Sequence, residues 1–395
     1  MSRPVAIFAG YLARYPLGGH LLSQYHFLAG LKKLGYEVAF LEHYGWPGAC
    51  YDPRTNTMTD DPSYGLSQVL PFFDRIGLRR WCYVDAANKW HGLQRDEVRS
   101  LCRDAAFVMS SASTTWLDEM RECPTRIFID IDPAFTQFKM SPTPGPSCSG
   151  YASPYDFNFH FTVGARIGKP DCPIPTRGLH WHPCRQPLAV DLISPRFTPD
   201  ANRFTTVMSW TAYGSAEYQG VSYGQKNVEL LKFLDLPQRA GNEFEIALGG
   251  ANAPAQLLRD AGWTITDALP ATRTLDAFLD YIGESRGEFS VAKEAYVKTR
   301  CGWFSDRTVA YLASGKPAIV QDTGFTDWLP TGEGLFAFQT PADVANAVEK
   351  IRADYARHCH AARQLAREYF DSDNVLGRIL QTCGISTPRL SAWAG

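Results

Sequence analysis

The stretch that decides the fold is residues 5–41, VAIFAGYLARYPLGGHLLSQYHFLAGLKKLGYEVAFL. It begins with an apolar run of strand length that ends at Gly10. Apolar residues then recur at helical spacing as far as Gly35, and a second apolar run follows. A strand, a glycine-containing loop, a helix and a further strand open a βαβ unit, whose parallel strands need the crossover helix. The sequence therefore predicts a doubly wound α/β fold.

A second strand–helix series follows a proline-rich segment. Between residues 168 and 199 prolines recur so often that neither a helix nor a central strand is expected there. We predict one Rossmann-like domain over 1–167, an interdomain connection over 168–199 and a second Rossmann-like domain over 200–370. A C-terminal helix and tail over 371–395 are expected to cross back to the first domain.

The composition is that of a globular protein and excludes several classes. The 395 residues are 45% apolar and 20% charged, and no uncharged apolar run is long enough for a transmembrane segment. The start of the chain is typical of a first strand and not of a secretory signal. The ten scattered cysteines indicate reduced thiols in a cytoplasmic protein. A formal net charge of -2 gives no general attraction to nucleic acid, so no nucleic-acid partner is expected.

The strongest local motif is residues 302–324, GWFSDRTVAYLASGKPAIVQDTG. Ser305 is a suitable N-cap and Asp306 suits the first turn, so a helix should begin there and end at Gly315. A helix N-terminus at the end of a parallel strand can bind a diphosphate, and Arg307 would add a permanent cation. The alternative is an ordinary strand–helix unit with a solvated arginine.

Residues 302–324 resemble the donor-site segment of bacterial glycosyltransferases with the GT-B fold, and in particular of the large retaining (family-4-like) group. In that group a helix ending in a small residue, Gly, Lys and Pro precedes a strand and an Asp-x-Gly turn. The resemblance implies two Rossmann-like domains facing across a cleft, with the acceptor on the first and a nucleotide-diphosphate sugar, such as a UDP-sugar, on the second. It implies a hexosyltransferase-like enzyme that needs no metal and acts on a natural product or another sugar.

The resemblance also implies further donor-site residues. Gly18 and Gly19 follow the first strand, Gly249 and Gly250 follow a strand of the second series, and Lys226 lies in a Gly-Gln-Lys-Asn turn. In the group, an equivalent lysine acts with an arginine to neutralise the diphosphate leaving group, which fixed cations stabilise without a metal. An ordinary surface position is the alternative for Lys226.

Two more residues are candidates near the cleft. Lys293 follows a predicted strand and is a second candidate cation for the donor. His20 begins the first helix and would face the cleft, either as a general base or as a polar residue at a helix start.

The sequence departs from the group at two positions. The group commonly carries two glutamates separated by seven residues, and the matching positions here are Gly302 and Ala310. The second glutamate normally holds the donor ribose, so that contact must come from elsewhere, with Ser305 and Asp306 as candidate substitutes.

Two carboxylates end a predicted strand of the first domain. Asp130 and Asp132 should point to the same side by alternation, and active sites of parallel sheets lie at this end of the strands. Asp132 is predicted to contact the sugar or to act as the acceptor base, and a turn-capping aspartate is the alternative. His160 is expected to be a core histidine.

Other residues of metal-ligating type are clustered in the proline-rich segment: Cys172, His180, His182 and Cys184. Their spacing does not match the paired ligands of zinc sites, so no metal or other cofactor is expected. Two alternatives to sugar transfer keep the same fold. One is a nucleotide-sugar epimerase, which the missing glutamates disfavour. The other is a non-catalytic nucleotide-sugar-binding or activator protein, which they favour.

Overall fold

The structure is a computed structural model that describes residues 3–148, 150–250 and 252–388. The strands of its first half are β1 (Val5–Ala9), β2 (Glu37–His43), β3 (Cys50–Asp52), β4 (Thr57–Thr59), β5 (Arg80–Val84), β6 (Trp90–Gly92), β7 (Phe107–Ser111), β8 (Arg126–Asp130), β9 (Phe159–Thr162) and β10 (Trp181–Pro183). The helices there are α1 (Gly18–Lys33), α2 (Ser63–Arg75), α3 (Arg95–Asp104) and α4 (Phe135–Lys139).

The second half repeats the alternation of strands and helices. Its strands are β11 (Phe204–Ser209), β12 (Ala216–Tyr218), β13 (Val221–Tyr223), β14 (Phe244–Gly249), β15 (Thr264–Asp267), β16 (Gly287–Ser290), β17 (Ala318–Gln321) and β18 (Leu335–Phe338). Its helices are α5 (Lys226–Leu231), α6 (Leu236–Ala240), α7 (Ala255–Asp260), α8 (Ala268–Thr272), α9 (Leu275–Glu284), α10 (Glu294–Thr299), α11 (Asp306–Ala313), α12 (Pro341–Ala353), α13 (Tyr355–Phe370) and α14 (Ser372–Thr382).

Two sheets organise the molecule. The first has the order β10-β9-β8-β7-β1-β2-β5-β6, and its neighbouring strands are parallel except for the antiparallel pair β5 and β6. The second has the order β15-β14-β11-β16-β17-β18 and is parallel throughout its described ladders. In chain order this is 3-2-1-4-5-6, the Rossmann arrangement. The predicted fold class, with two Rossmann-like doubly wound domains, is confirmed.

The continuous apolar character of β1 follows from burial on both faces of its sheet. Ala6 and Phe8 pack in a core that includes residues of α1 and α14, whereas Ile7 and Ala9 pack on the other face with residues of α3. Strands covered on both sides need apolar residues at every position. This is why a short unbroken apolar run predicted β1.

The first sheet extends into the segment that was predicted to be a plain connection. β10 pairs in parallel with β9, and the side chain of Trp181 is buried in the first domain's core. Pro183 is tolerated because β10 is an edge strand. Further along the same segment, Val190–Leu192 form a 3-10 turn.

The C-terminal helix α14 packs against α1 of the first domain. A Cβ atom at Gly30 would lie 2.6 Å from Leu376 Cδ1, and Lys33 pairs with Asp373 at 3.0 Å. The predicted tail beyond residue 388 lies outside the described residues. Within the ranges that the structure describes, every helix is too short or too polar to cross a membrane.

Candidate functional site

Arg307 lies where the chain order of the second sheet reverses, at the carboxyl ends of β11 and β16. Its Nε donates to Glu288 Oε1 at 2.7 Å, one Nη donates to the carbonyl oxygen of Val207 at 2.7 Å, and the other donates to the Ser290 hydroxyl. Open α/β sheets bind ligands in the crevice at this switch point. Arg307 is therefore buried at the expected ligand edge and does not extend into bulk solvent.

Glu288 is a site residue that the sequence analysis missed. Its side chain is fully buried, and its second oxygen, Oε2, has no hydrogen-bond partner among the described residues. Burial alone would lower the pKa of Arg307, but the Glu288 carboxylate outweighs that effect and raises the pKa above its usual range. Arg307 thus brings little uncompensated charge. The sequence signal for Glu288 was weak, because it was a single glutamate beside Phe289 in the short strand β16.

Lys226 is the cation of this edge that lacks a counter-charge. It is the first residue of α5 and half-buried, and its ammonium has no hydrogen bond or ion pair within the described ranges. Burial first, and then the charges of Arg307 and Lys293, lower its pKa well below the usual lysine value. Like charges held together in a poorly solvated place favour an anion between them.

Lys293 and Asp132 meet across the two domains. Lys293 Nζ donates to Asp132 Oδ1 at 2.8 Å, and the hydroxyls of Tyr213 and Tyr296 donate to the same carboxylate. Burial first, and the charge of Asp132 second, raise the pKa of both tyrosines, so they remain donors. In this conformation the carboxylate of Asp132 is saturated by second-domain donors. It could serve an acceptor as a base only after releasing them.

A cleft cavity of about 420 Å³ lies between the domains. Four of the predicted residues line it: Gly19 and His20 from the first domain, and Asp306 and Arg307 from the second. Tyr15, Ser23, Ser209 and Ala310 are among the other lining residues. The structure therefore brings the start of α1 and the start of α11 to one space, as a site shared by both domains requires.

His20 is a neutral side chain in this cavity. Burial lowers its pKa to about 4, and its Nε2 hydrogen bonds to the carbonyl oxygen of Tyr11. A general base works best with a pKa near the working pH, and this imidazole is a much weaker base than that. This environment agrees better with a role for His20 in positioning the substrate. The role of His20 as a general base stays a prediction.

The glycine pair at the start of α1 allows the two domains to approach each other closely. A Cβ atom at Gly18 would lie 2.7 Å from Phe278 Cβ and would overlap the carbonyl oxygen of Thr274. At Gly19 it would lie 3.1 Å from the Phe278 ring. Gly18 is thus required by the contact of α1 with α9, whereas Gly19 also faces the cleft cavity.

The backbone of the loop between β1 and α1 already holds an anion of the chain itself. The N–H groups of Leu12, Ala13 and Arg14 each donate to the carboxylate of Glu42 at 2.9 Å. Glu42 ends the β2 region and is fully buried. Because these N–H groups are satisfied, this part of the loop offers no free cradle for a phosphate. Glu42 is a second carboxylate that the sequence analysis missed.

The start of α11 is where the sequence predicted it. Asp306 is the first helical residue, and Ser305 is the N-cap, buried and without a side-chain capping bond. Asp306 Oδ1 accepts the N–H of Arg307 at 2.9 Å, so a carboxylate already lies at the helix start. Gly249 ends β14 and Gly250 follows it, and a Cβ at Gly250 would lie 3.2 Å from the backbone nitrogen of Trp210. This pair supports the loop after β11 and does not form the described wall of the cavity.

Gly302 and Ala310, the positions that the sequence analysis compared with the glutamates of the family-4-like group, have different surroundings. Gly302 has a φ of 79°, and a Cβ there would lie 3.1 Å from Arg166 Cγ of the first domain. A glutamate at this position would be strained and crowded. Ala310 is buried on the wall of the cleft cavity, next to Arg307.

The other candidates are structural. Asp130 is buried and accepts from Thr136 at 2.7 Å and from Gln137 and Thr162 at 2.8 Å. Its side chain is therefore held inside the first domain and does not share the environment of Asp132. His160 Nε2 donates to the carbonyl oxygen of Pro154 at 2.7 Å, within its own domain. The predicted core position of His160 agrees with its burial.

The residues of metal-ligating type do not form one cluster, although the rings of His180 and His182 lie 4.3 Å apart. Cys172 is buried in the first domain's core, whereas His182 and Cys184 line a different cavity from the cleft. Across the described residues, no group of three or more His, Cys, Asp or Glu side chains could hold a metal ion.

Two facing Rossmann-like domains with a ligand space between them define the GT-B fold. No family model matches the sequence, and neither does any curated protein. The fold is similar to an α-glucosyltransferase in complex with UDP-glucose and DNA containing an abasic site, with 9% identity, a TM-score of 0.56 and coverage of 97% of this chain and 99% of that chain.

Two further solved structures are similar over nearly their whole length. One is a glycosyltransferase from Rickettsia africae, with 10% identity, a TM-score of 0.52 and coverage of 97% and 98% of the two chains. The other is a glycosyltransferase involved in avilamycin A biosynthesis, with 12% identity, a TM-score of 0.53 and coverage of 96% of each chain. The predicted GT-B architecture is confirmed, and these three similar structures are glycosyltransferases.

The prediction that excluded nucleic acid is wrong. Several of the similar structures are complexes with DNA, so the fold is compatible with such a partner. The prediction failed because it rested on a net charge of -2. Nucleic acid is attracted by a local basic surface, which a nearly neutral protein can also have.

Proposed function

We propose that this protein transfers a glycosyl group from a UDP-sugar to an acceptor bound on the first domain, without a metal ion. The observation that carries the proposal is Lys226, a half-buried cation without a counter-charge beside Arg307 at the switch point of a Rossmann sheet. We propose UDP as the nucleotide of the donor because similar structures contain UDP or UDP-glucose.

The chemistry requires a cation at the leaving group. When the bond between the anomeric carbon and the β-phosphate oxygen breaks, negative charge develops on the diphosphate. Lys226 would stabilise that charge directly, and Arg307 would contribute the N–H groups that its three present hydrogen bonds leave over. Fixed cations in this position replace the metal ion that other sugar transferases use, which is the basis for proposing a metal-independent reaction.

Aromatic side chains support an acceptor with a flat face. Tyr15 lines the cleft cavity, is 39% exposed, and stacks on Tyr51 with ring centroids 5.3 Å apart. Trp46 is 59% exposed on a neighbouring loop, with the guanidinium of Arg14 at 5.3 Å from its ring. Sugar rings, aromatic natural products and nucleobases all stack on such side chains. We propose that the acceptor presents one of these faces to Tyr15.

A thermal-shift screen tests the proposal. The full chain is mixed with UDP-, GDP-, dTDP- and ADP-glucose, each with and without EDTA, and UDP release from the stabilising donor is then followed over time. We expect the UDP-sugar to stabilise the protein, and we expect EDTA not to change this stabilisation. UDP should be released slowly, because sugar-transferring enzymes also use water as an acceptor. A shift that requires a divalent metal contradicts the metal-free mechanism, and binding without any turnover indicates the non-catalytic alternative.

A further inference from the structure

A second and larger cavity, the hinge cavity, lies where both domains and the C-terminal helix meet. Its volume is about 580 Å³, and its walls come from the segments after β9 and β10, from Asp327 and Trp328 after β17, and from α14. Its described lining residues are all different from those of the cleft cavity. The volume falls within the range of small-molecule sites, roughly 300–1,000 Å³.

The polar lining of the hinge cavity is mainly basic. Arg166, Lys169, Arg185 and Arg378 line it, and Asp327 is the carboxylate among the described lining residues. Asp327 is already used, because it pairs with Arg166. Lys169 and Arg378 have no side-chain hydrogen bond or ion pair with any described residue. The cavity therefore has an excess of positive charge.

The guanidinium of Arg185 is held by two aromatic rings and a carbonyl oxygen. Its Cζ lies 5.0 Å from the centroid of the Trp328 ring and 5.1 Å from that of Tyr369, and Nη1 donates to the Tyr369 carbonyl oxygen at 3.1 Å. A guanidinium fixed by aromatic rings presents its remaining N–H groups in one plane, which matches phosphate geometry.

Arg185 also has a neighbour of like charge in the hinge cavity, Arg378. Burial, and then the like charge of Arg378, lower the pKa of Arg185 below its usual range. Two arginines this close, without a carboxylate assigned to them in the described part of the chain, repel one another. An anion between them would remove that repulsion.

We propose that the hinge cavity binds a phosphorylated small molecule, whose phosphate accepts hydrogen bonds from Arg185, Arg378 and Lys169. Apolar residues of the same wall, such as Phe161 and Ile379, would cover the rest of the ligand. Such a ligand would connect the first domain, α14 and the Asp327–Trp328 turn of the second domain. The site does not depend on the proposed sugar transfer.

Isothermal titration of the full chain with pyrophosphate tests this site. We expect the double variant Arg185→Gln/Arg378→Gln to bind about tenfold or more weakly, because two charge-assisted hydrogen bonds are lost. Arg378→Gln alone, at an exposed position, should weaken binding less, and it keeps the test valid if the double variant unfolds. Pyrophosphate would also enter the cleft, so all titrations are repeated in Lys226→Ala protein, where the hinge effect should persist.

Arg367→Gln is the matched control, since it removes the same charge from an exposed position on α13 that is outside the cavity lining. Unchanged affinity in this control supports the proposal, whereas an equal loss shows a general charge effect and overturns it. Wild-type affinity in both the Arg378→Gln and the double variant also overturns it. If pyrophosphate does not bind but a short DNA duplex does, with affinity lost in the hinge variants, the surface recognises a nucleic-acid backbone and the small-molecule proposal is wrong.

Discussion

The three cations at the carboxyl edge of the second sheet differ in what neutralises them. Arg307 is paired with the buried Glu288, and Lys293 is paired with Asp132 of the other domain. Lys226 has no carboxylate partner among the described residues. Lys226 is not among the described lining residues of the cleft cavity. A diphosphate that reached this edge of the sheet would nevertheless gain most from Lys226, because no existing ion pair has to be broken there.

Replacement of Lys226 tests this ranking. Lys226→Ala is expected to lower kcat/KM for UDP-sugar turnover about 100-fold or more, since removal of one donor to the developing charge has effects of this size in other enzymes. The measurement is the rate of UDP release. Lys350→Ala, an exposed lysine on α12, is the control and should retain full activity. Equal rates in both variants would show that the leaving group lies elsewhere.

Proton uptake on binding is a second prediction at this scale. In the free protein, burial and like charges lower the pKa of Lys226, and a bound diphosphate would raise it again. At a pH between the pKa in the free protein and the higher pKa in the complex, binding must therefore take up a proton, and affinity should fall as pH increases. At a pH below the pKa in the free protein, both states are protonated and affinity should be constant. Calorimetry of UDP binding in buffers of different ionisation enthalpy measures this uptake, which should vanish in Lys226→Ala.

The buried pair of Glu288 and Arg307 should be important for stability. Glu288→Gln leaves a buried guanidinium without its counter-charge, which should lower the free energy of unfolding by about 3–5 kcal/mol. Urea denaturation measures the loss. Glu349→Gln on the exposed side of α12 is the control and should change stability by less than about 0.5 kcal/mol. A loss no larger than that of the control would mean that Arg307 finds another partner.

At the scale of elements, the contact of α1 with α9 fixes the approach of the two domains. Gly18 permits this contact because Phe278 and Thr274 fill the space that a side chain would need. The same helix start forms one wall of the cleft cavity. A change in the separation of α1 and α9 should therefore alter the site as well as stability.

Two glycine substitutions separate this steric effect from helix propensity. Gly18→Ala should destabilise the protein by about 1–3 kcal/mol through overpacking and should lower donor affinity. Gly377→Ala lies inside α14, where a Cβ would have no heavy atom within 4 Å, and should stabilise it by about 0.5–1 kcal/mol. Thermal unfolding and UDP titration measure both effects. Stabilisation by both alanines would contradict the role assigned to Gly18.

At the scale of the whole molecule, Asp132 connects the domains through Lys293, Tyr213 and Tyr296. The three donors belong to the second domain, and the carboxylate to the first. This contact holds the cleft closed on one side and occupies Lys293. Hydrogen bonds to a charged group contribute about 1.5–3 kcal/mol, so the contact is strong enough to shift a domain equilibrium.

Removal of that charge should open the molecule. Asp132→Asn is expected to increase the radius of gyration of the ligand-free protein in small-angle X-ray scattering, and added UDP should reverse part of the increase. Asp200→Asn, at an exposed position at the start of the second domain, removes the same charge where no ion pair is formed with any described residue, and should leave the scattering unchanged. An unchanged radius for Asp132→Asn would show that the contacts at Gly18 and Arg166 suffice for closure.

Some features of the fold could be predicted from the sequence because their signals are local. β17 was predicted at Ala318–Gln321, where the structure has it, since a short apolar run follows Gly315 and a proline. The beginning of α11 at Asp306 was predicted from its capping residues. Residues 45–100 had no such signal, because β5 and α3 owe their positions to packing on the first sheet.

The sequence by itself determined the class of fold, the two-domain organisation around parallel sheets, and the glycine and helix starts that face the cleft. The tertiary structure decided which charges meet. Asp132 and Lys293 are 161 residues apart in sequence, and Glu288 is brought to Arg307 by strand order. Partnership between ionised side chains depends on distance and burial, which neighbouring residues in the sequence do not specify. For this reason Lys226 could be distinguished from the other cations only in three dimensions.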